Sequence, residues 1–173
     1  MGLTTLDDLF AERWTVMVRL AVLLVDDQES AEDVVADAFT SLAGNWHRID
    51  PDRAVGYLHR SVVNGARSAL RRRRTARAWS PPALRHGPSA EDVALLNTQH
   101  RELIEALSTL PPRQREALVL RYWSHLDEAA TAEAMGVSRG TVKSTTSRAL
   151  VALRRRVGDT PTPTDRSTKG GTR

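Results

Sequence analysis

The chemistry available to this sequence is concentrated in its arginines. Arg53, Arg60, Arg67, Arg71 and Arg74 follow one another at intervals of 7, 7, 4 and 3 residues. At about 100° per residue these positions fall within roughly 60° of one another on a helix. They form one guanidinium ridge, with Asn64 beside it. Such a ridge tracks the phosphates of a nucleic-acid strand, and an adjacent carboxamide reads a base edge. The aromatic residues Trp46 and Tyr57 are near in sequence. Rings of this kind stack on unpaired bases, worth about 1–3 kcal/mol each. Trp46 also extends an apolar helical stripe and Tyr57 is similarly placed, so stacking and core packing are both open at these positions.

A second constellation lies near the C-terminus. Residues 131–150 read Thr-Ala-Glu-Ala-Met-Gly-Val-Ser-Arg-Gly-Thr-Val-Lys-Ser-Thr-Thr-Ser-Arg-Ala-Leu, the spacing of a helix-turn-helix. Ala132 is small where two helices cross, and Gly136 supplies the positive φ of the turn. On the last helix Val142, Ala149, Leu150, Leu153 and Val157 share one face. Gly140, Lys143, Ser144 and Ser147 share the opposite face, flanked by Arg139 and Arg148. A face of short side chains with one lysine fits a DNA major groove, and Gly140 lets the backbone approach closely.

Charge distribution supports two polyanion contacts. The net charge is only +4, but it is segregated. Residues 1–60 carry eleven acids and five arginines, residues 61–80 six arginines and no acid, and residues 139–157 six basic residues and no acid. Basic blocks on separate modules suit separate sites on one nucleic acid. The sequence carries no enzyme signature. The five histidines show no paired ligand spacing, and there is no phosphate-binding glycine loop, nucleophile elbow or acid/base pair. The acids Asp26, Asp27, Glu29, Glu32 and Asp33 are explained more simply by helix caps and a docking face than by a metal site. No catalytic residue, metal or cofactor is expected.

The elements that position these residues are helices. With 173 residues and 40% hydrophobic content, two modest cores fit better than one large one. The absence of cysteine fits a reducing compartment, the cytoplasm. The apolar stretch Val16 to Val25 is broken by Arg19 and is too short to span a bilayer. Apolar spacing is helical nearly throughout, which predicts an all-α protein of two small domains joined by a flexible linker. Helices are expected from Leu6 to Val25 with Thr5 as N-cap, from Ser30 as a capping-box start, and from Asp50-Pro51 to about Arg74. In the second helix Ala31, Val34, Val35, Ala38, Phe39, Leu42 and Trp46 form an apolar stripe, with Glu32, Asp33 and Asp37 off it. Pro, Gly and Ser then mark a linker, whose twenty residues 75–94 reach roughly 60–70 Å when extended. That exceeds one turn of DNA, about 34 Å. Ser89 caps the opening of the second module, with Leu95, Leu96, Leu103, Ile104, Leu107 and Leu110 in its first helix. Helices from Arg113 to Trp123 and Asp127 to Met135 follow, then the last from Ser138 to about Val157, and a tail expected to be disordered.

Together these residues resemble the extracytoplasmic-function (group 4) sigma factors of bacterial RNA polymerase, the small actinobacterial type in particular. Region 2 of that family is similar to Ser30-Ala-Glu-Asp-Val-Val-Ala-Asp-Ala-Phe39 and to Tyr57-Leu-His-Arg-Ser-Val-Val-Asn64 with Arg67 and Leu70-Arg-Arg. Region 4 is similar to Leu107, Leu110-Pro-Pro-Arg-Gln-Arg-Glu, Leu120-Arg-Tyr-Trp123 and the helix-turn-helix. The resemblance implies region 2 over residues 1–75, a linker over 76–94, region 4 over 95–157 and a tail over 158–173. It implies a DNA-binding promoter-specificity subunit that helps melt DNA at transcription initiation. Glu32, Asp33, Asp37 and Phe39 match the part that docks on the polymerase clamp helices. Trp46, Arg48, Arg53, Tyr57, Arg60, Asn64, Arg67 and Arg71 match the −10 element surface, the loop from about His47 to Arg53 holding a flipped base. Arg139, Gly140, Lys143, Ser144, Ser147 and Arg148 match the −35 reader. The implied partners are core RNA polymerase, through its clamp helices and flap, and promoter DNA, with an anti-sigma factor as a further candidate; no membrane is involved. Ala36 stands where the family usually has Gln or Glu, and Ala130 where it often has Glu. The rival reading is a stand-alone helix-turn-helix regulator, which leaves residues 6–75 without a role.

Overall fold

A computed structural model describes residues 5–79 and 98–158. All regular structure among these residues is helical. In chain order the elements are α1 (Leu6–Val25), α2 (Gln28–Asn45), a 3₁₀ turn (Trp46–Arg48), α3 (Pro51–Trp79), α4 (Thr98–Ser108), α5 (Pro112–Leu118), a π-helical turn (Val119–Trp123), α6 (Glu128–Met135) and α7 (Arg139–Gly158).

The helix ends are set by short polar side chains. Thr5 caps α1, its hydroxyl accepting the Asp8 N–H at 3.1 Å. Asp26 ends α1 in the left-handed region at φ 68°, and Asp27 returns to extended backbone. Asp27, not Ser30, is then the cap of α2: its Oδ1 accepts the Ser30 N–H at 2.8 Å. The helix starts at Gln28, ahead of the expected Ser30 start, because an aspartate in extended geometry already satisfies the first free N–H groups. The Asp50 carboxylate accepts the Asp52 N–H at the head of α3, as expected for Asp-Pro. At its other end α3 runs past Arg74 to Trp79. Residues 75–79 hold no Gly or Pro, so nothing local stops the helix there. Residues 76–79 of the expected linker are therefore helical. The rest of that linker, the Ser89 cap, Leu95, Leu96 and the tail beyond Gly158 lie outside the described residues.

The first three helices pack around Leu9, Met17, Leu20, Val35, Leu42, Leu58, Val62 and Val63, all fully buried. The α2–α3 crossing depends on Gly65, where an added Cβ would stand 2.9 Å from Val34 Cγ1. Arg73 fastens the far part of α3: it donates to the Val25 carbonyl at 2.7 Å and pairs with Asp27. The C-terminal helices enclose Ala117, Leu120, Met135, Val142 and Ala149. The two halves do not stand apart. Arg115 of α5 is 6% exposed and reaches across to the Leu24 carbonyl at 2.9 Å and to both Asp26 oxygens at 2.8 and 2.9 Å.

Candidate nucleic-acid interface

Helix α3 presents the arginine ridge with one exception. Arg53, Arg60, Arg71 and Arg74 are exposed, as is Asn64. Arg67 is turned into the contact with the second half. Its Nε and Nη2 donate to the two Glu116 carboxylate oxygens at 2.8 and 2.7 Å, and Nη2 also reaches the Met135 carbonyl at 2.9 Å. In this conformation Arg67 is committed to protein acceptors and does not face solvent with its neighbours. At the N-terminal end of the ridge, Arg48, Ile49, Asp50, Arg53, Gly56, Tyr57 and Arg60 line a cavity of about 350 Å³. Glu133 of α6 stands at its wall. Tyr57 is half-buried and its hydroxyl is 2.7 Å from Ser41 Oγ, which fixes the ring at the cavity edge. Trp46 is half-buried and packs on the core, so both of its open readings retain a physical basis.

The helix-turn-helix forms as its spacing predicts. Asp127 caps α6 by accepting the Ala130 N–H at 2.7 Å. Gly136 takes φ 66° at the turn, and the Val137 N–H closes it onto the Ala132 carbonyl at 3.0 Å. Ser138 then caps α7, its Oγ accepting the Thr141 N–H at 3.2 Å. Val142, Thr145 and Ala149 are buried, while Arg139, Gly140, Lys143, Ser144, Ser147 and Arg148 all lie on the exposed face. A Cβ at Gly140 would meet nothing closer than Ser138 Oγ at 3.8 Å. The fold therefore does not require glycine there. Arg148 folds back along the helix, its Nε donating to the Ser144 carbonyl at 3.2 Å.

Two family models match this chain, one after the other. Residues 9–76 match the sigma-70 region 2 family and residues 100–153 match the sigma-70 region 4 family. The RNA polymerase sigma-E factor of Streptomyces coelicolor is 35% identical over 143 residues, covering 82% of this chain and 80% of that protein. This chain belongs to the sigma-70 family. The ECF RNA polymerase sigma factor SigM of Mycobacterium tuberculosis is 36% identical over 154 residues, covering 88% of this chain and 76% of its own length. The chain is thus an RNA polymerase sigma factor of the extracytoplasmic-function group. Its fold is also that of the sigma factor RpoE of Bartonella quintana, solved in complex with the anti-sigma factor NepR. The TM-score is 0.70 at 21% identity, over 89% of this chain and 97% of that one. CnrH, solved with the cytosolic domain of CnrY, superposes with a TM-score of 0.67 at 22% identity, over 88% of this chain and 87% of that one.

Within the sigma factor's region 2, α2 carries the acidic face. Glu32, Asp33 and Asp37 are exposed together with Ala36. Phe39 is not part of that surface. It is 5% exposed and its ring packs edge-on against Phe10, centroids 5.0 Å apart, and beside Trp14 at 5.9 Å. The aromatic that does reach solvent there is Phe10 of α1, 45% exposed. On the inner face of α3, His59 is buried and its Nδ1 lies 2.9 Å from the Val55 carbonyl. Burial lowers its pKa from the ordinary 6.5, the Val55 bond opposes that shift, and the nearby Arg13 charge adds to it. Among the described residues no His, Cys, Asp and Glu converge in threes as metal ligands. Asp26 and Asp27, from the acid-rich stretch, are held by Arg115 and Arg73.

Four residues that organise this sigma factor are not evident from motif spacing alone: Gly65, Arg73, Arg115 and Glu116. A signal existed for the last two. Arg115 and Glu116 precede Leu118, Val119 and Leu120 at spacings that put charges on a buried face of α5. A buried charge requires a partner, and the partners lie across the chain. After α5 the helix widens: the Ser124 N–H bonds the Val119 carbonyl at 3.1 Å, one residue further than in an α-helix. That turn brings Tyr122 and Trp123 to the surface.

Proposed function

We propose that this sigma factor docks on core RNA polymerase through the α2 acidic face and recognises both promoter elements, one with each half. Glu32, Asp33 and Asp37 supply charge complementarity for the clamp helices, which sets orientation and on-rate more than raw affinity. Tyr122 and Trp123 offer an aromatic patch for the flap, the residue types that anchor interfaces. Arg53, Arg60, Arg71 and Asn64 follow the −10 strand. The cavity between Arg48 and Arg60 takes an unstacked base, with Tyr57 at its edge. Extruding a base costs a few kcal/mol, which pocket and polymerase contacts offset. The exposed face of α7 enters the major groove of the −35 element, with Lys143 donating to base or phosphate and Arg139 and Arg148 flanking. The chain is a DNA-binding transcription regulator, and we assign it no catalytic step. Among the described residues no helix is long and apolar enough to cross a membrane; we place its action in the cytoplasm, with the polymerase.

The observation that carries this reading is the co-occurrence, in one chain, of an exposed arginine ridge on α3 and an exposed reader face on α7. A stand-alone regulator uses the second and leaves the first idle. The test is run-off transcription with holoenzyme on three templates: a mapped promoter, the same with its −10 element scrambled, and the same with its −35 element scrambled. Loss on both scrambled templates is expected. Lys143→Ala is expected to reduce output on the intact promoter to that of the −35-scrambled template while still binding polymerase. Equal output from all three templates overturns the assignment.

A further inference from the structure

Among the described residues that line the cavity beside the arginine ridge, one is aromatic: Tyr57 of α3. Its ring is held at both ends. The half-buried body packs on the hydrophobic core, and the hydroxyl lies 2.7 Å from Ser41 Oγ. The two residues are 16 apart in sequence and stand on different helices. The bond therefore exists only because α2 and α3 pack closely. Gly56 precedes Tyr57 in the cavity lining, and a Cβ there would meet nothing within 4 Å, so open space adjoins the ring. Ser41 stands one helical turn beyond Asp37 on α2, and its own carbonyl accepts Asn45 Nδ2 at 2.7 Å. The side chain of Ser41 is exposed. A hydroxyl pair in that setting adds little to stability, because water can replace either partner. Its physical effect is on the ring, whose freedom it removes. A ring already fixed in place gives up less entropy when a ligand stacks on it.

We propose that Ser41 is a positioning residue for promoter melting: its hydroxyl holds the Tyr57 ring in place as the stacking wall for the unstacked −10 base. The proposal rests on the reading that this cavity takes such a base, and it names the residue on the neighbouring helix that prepares the wall. Tyr57 touches the base, and Ser41 acts only through Tyr57. Stacking on an aromatic face tolerates any base. Ser41 therefore governs how firmly the base is held and leaves base preference to the other lining residues. A phenylalanine at position 57 would supply the same ring without the anchor. A threonine at position 41 would keep the anchor, and an alanine would remove it.

The test uses holoenzyme formed at saturating core polymerase, so that a change near the docking face does not enter the result. The probe is fork-junction DNA from a promoter mapped with that holoenzyme. It is duplex through the −35 element and single-stranded on the non-template strand across the −10 element. Companion probes carry an abasic sugar at each −10 position in turn, and the position whose loss costs the wild type most marks the unstacked base. Ser41→Ala is expected to lower affinity for the intact probe about 3–10-fold and to equal the wild type on that abasic probe. Tyr57→Phe is expected to match Ser41→Ala, and the double variant to lose no more than either change alone. Ser41→Thr is expected to bind the intact probe as the wild type does. Wild-type affinity of Ser41→Ala for the intact probe overturns the proposal. So does an equal loss on both probes, which would mark Ser41 as a support of the fold, or additive losses in the double variant. Tyr57→Ala separates this proposal from the reading beneath it. A loss on the intact probe alone keeps the base-holding cavity even where Ser41→Ala has no effect. A Tyr57→Ala chain that matches the wild type on both probes removes the cavity reading and the proposal together.

Discussion

Gly65→Ala tests the packing that fixes the arginine ridge against the acidic docking face. In most helices this change stabilises, because Ala is favoured over Gly by about 1 kcal/mol in a helix interior. Here the new methyl would stand 2.9 Å from Val34 Cγ1 and 3.6 Å from Val34 Cβ and Cγ2. Val34 is 4% exposed and β-branched, so it has one strongly preferred rotamer. Overpacking of this kind costs about 1–3 kcal/mol. Subtracting the propensity gain leaves a net loss of about 0–2 kcal/mol, against a gain of about 1 kcal/mol were the site open. Val34→Ala alone removes two buried methyl groups and costs about 2 kcal/mol. In the double variant the clash is absent, so Gly65→Ala should become stabilising by about 1 kcal/mol in that background. The coupling between the two changes is then about 1–3 kcal/mol, well above the additivity limit for independent sites. Urea unfolding of the four chains measures it. A Gly65→Ala chain more stable than wild type, with no coupling to Val34→Ala, would refute the close α2–α3 crossing.

Removing the exposed ridge arginines one at a time (Arg53, Arg60 or Arg71 to Ala) should weaken promoter complexes and reduce the slope of log K against log salt by about 1 each; titration at four salt concentrations reads this. Reversing charge at Glu32 and Asp37 should weaken binding of core polymerase about tenfold while −35 duplex binding persists, measured by competition with an unmodified sigma. Asp127→Ala removes the cap of α6 and should cost about 1 kcal/mol in thermal or urea unfolding. His59 is held neutral by burial, so its folded pKa is below 6.5. The unfolded chain therefore takes up the proton first, and stability should fall as pH drops below 6.5 and through the folded pKa; a His59→Gln chain should lack that component in pH-dependent calorimetry.

The ridge and the reader helix were legible in the sequence because both are periodic features of single helices. Arg53, Arg60 and Arg71 share a face whatever packs behind them, and the Gly136 turn with its Ser138 cap is local chemistry. The start of α2 is not fixed by local sequence, because Asp27 and Ser30 are both good caps and backbone geometry after Asp26 chooses between them. Family pattern puts Phe39 on the docking face, but its register puts it at the buried edge of α2, where Phe10 and Trp14 close over it. Arg67 is the instructive case. Its spacing puts it on the ridge, yet Glu116, 49 residues away, determines where its side chain goes. No local rule connects those two positions; only the docking of α5 and α6 on α3 does. Gly65 is similar, since a helical glycine is unremarkable until Val34 is seen against it.

The central claim is that this chain is a polymerase subunit whose two halves each read a promoter element. The most direct measurement is reconstitution of the purified chain with bacterial core RNA polymerase, followed by run-off transcription on genomic fragments. A stable complex and discrete start sites are expected, with two recurring upstream elements at fixed spacing. A folded, DNA-binding chain that neither joins core polymerase nor directs initiation would contradict the claim.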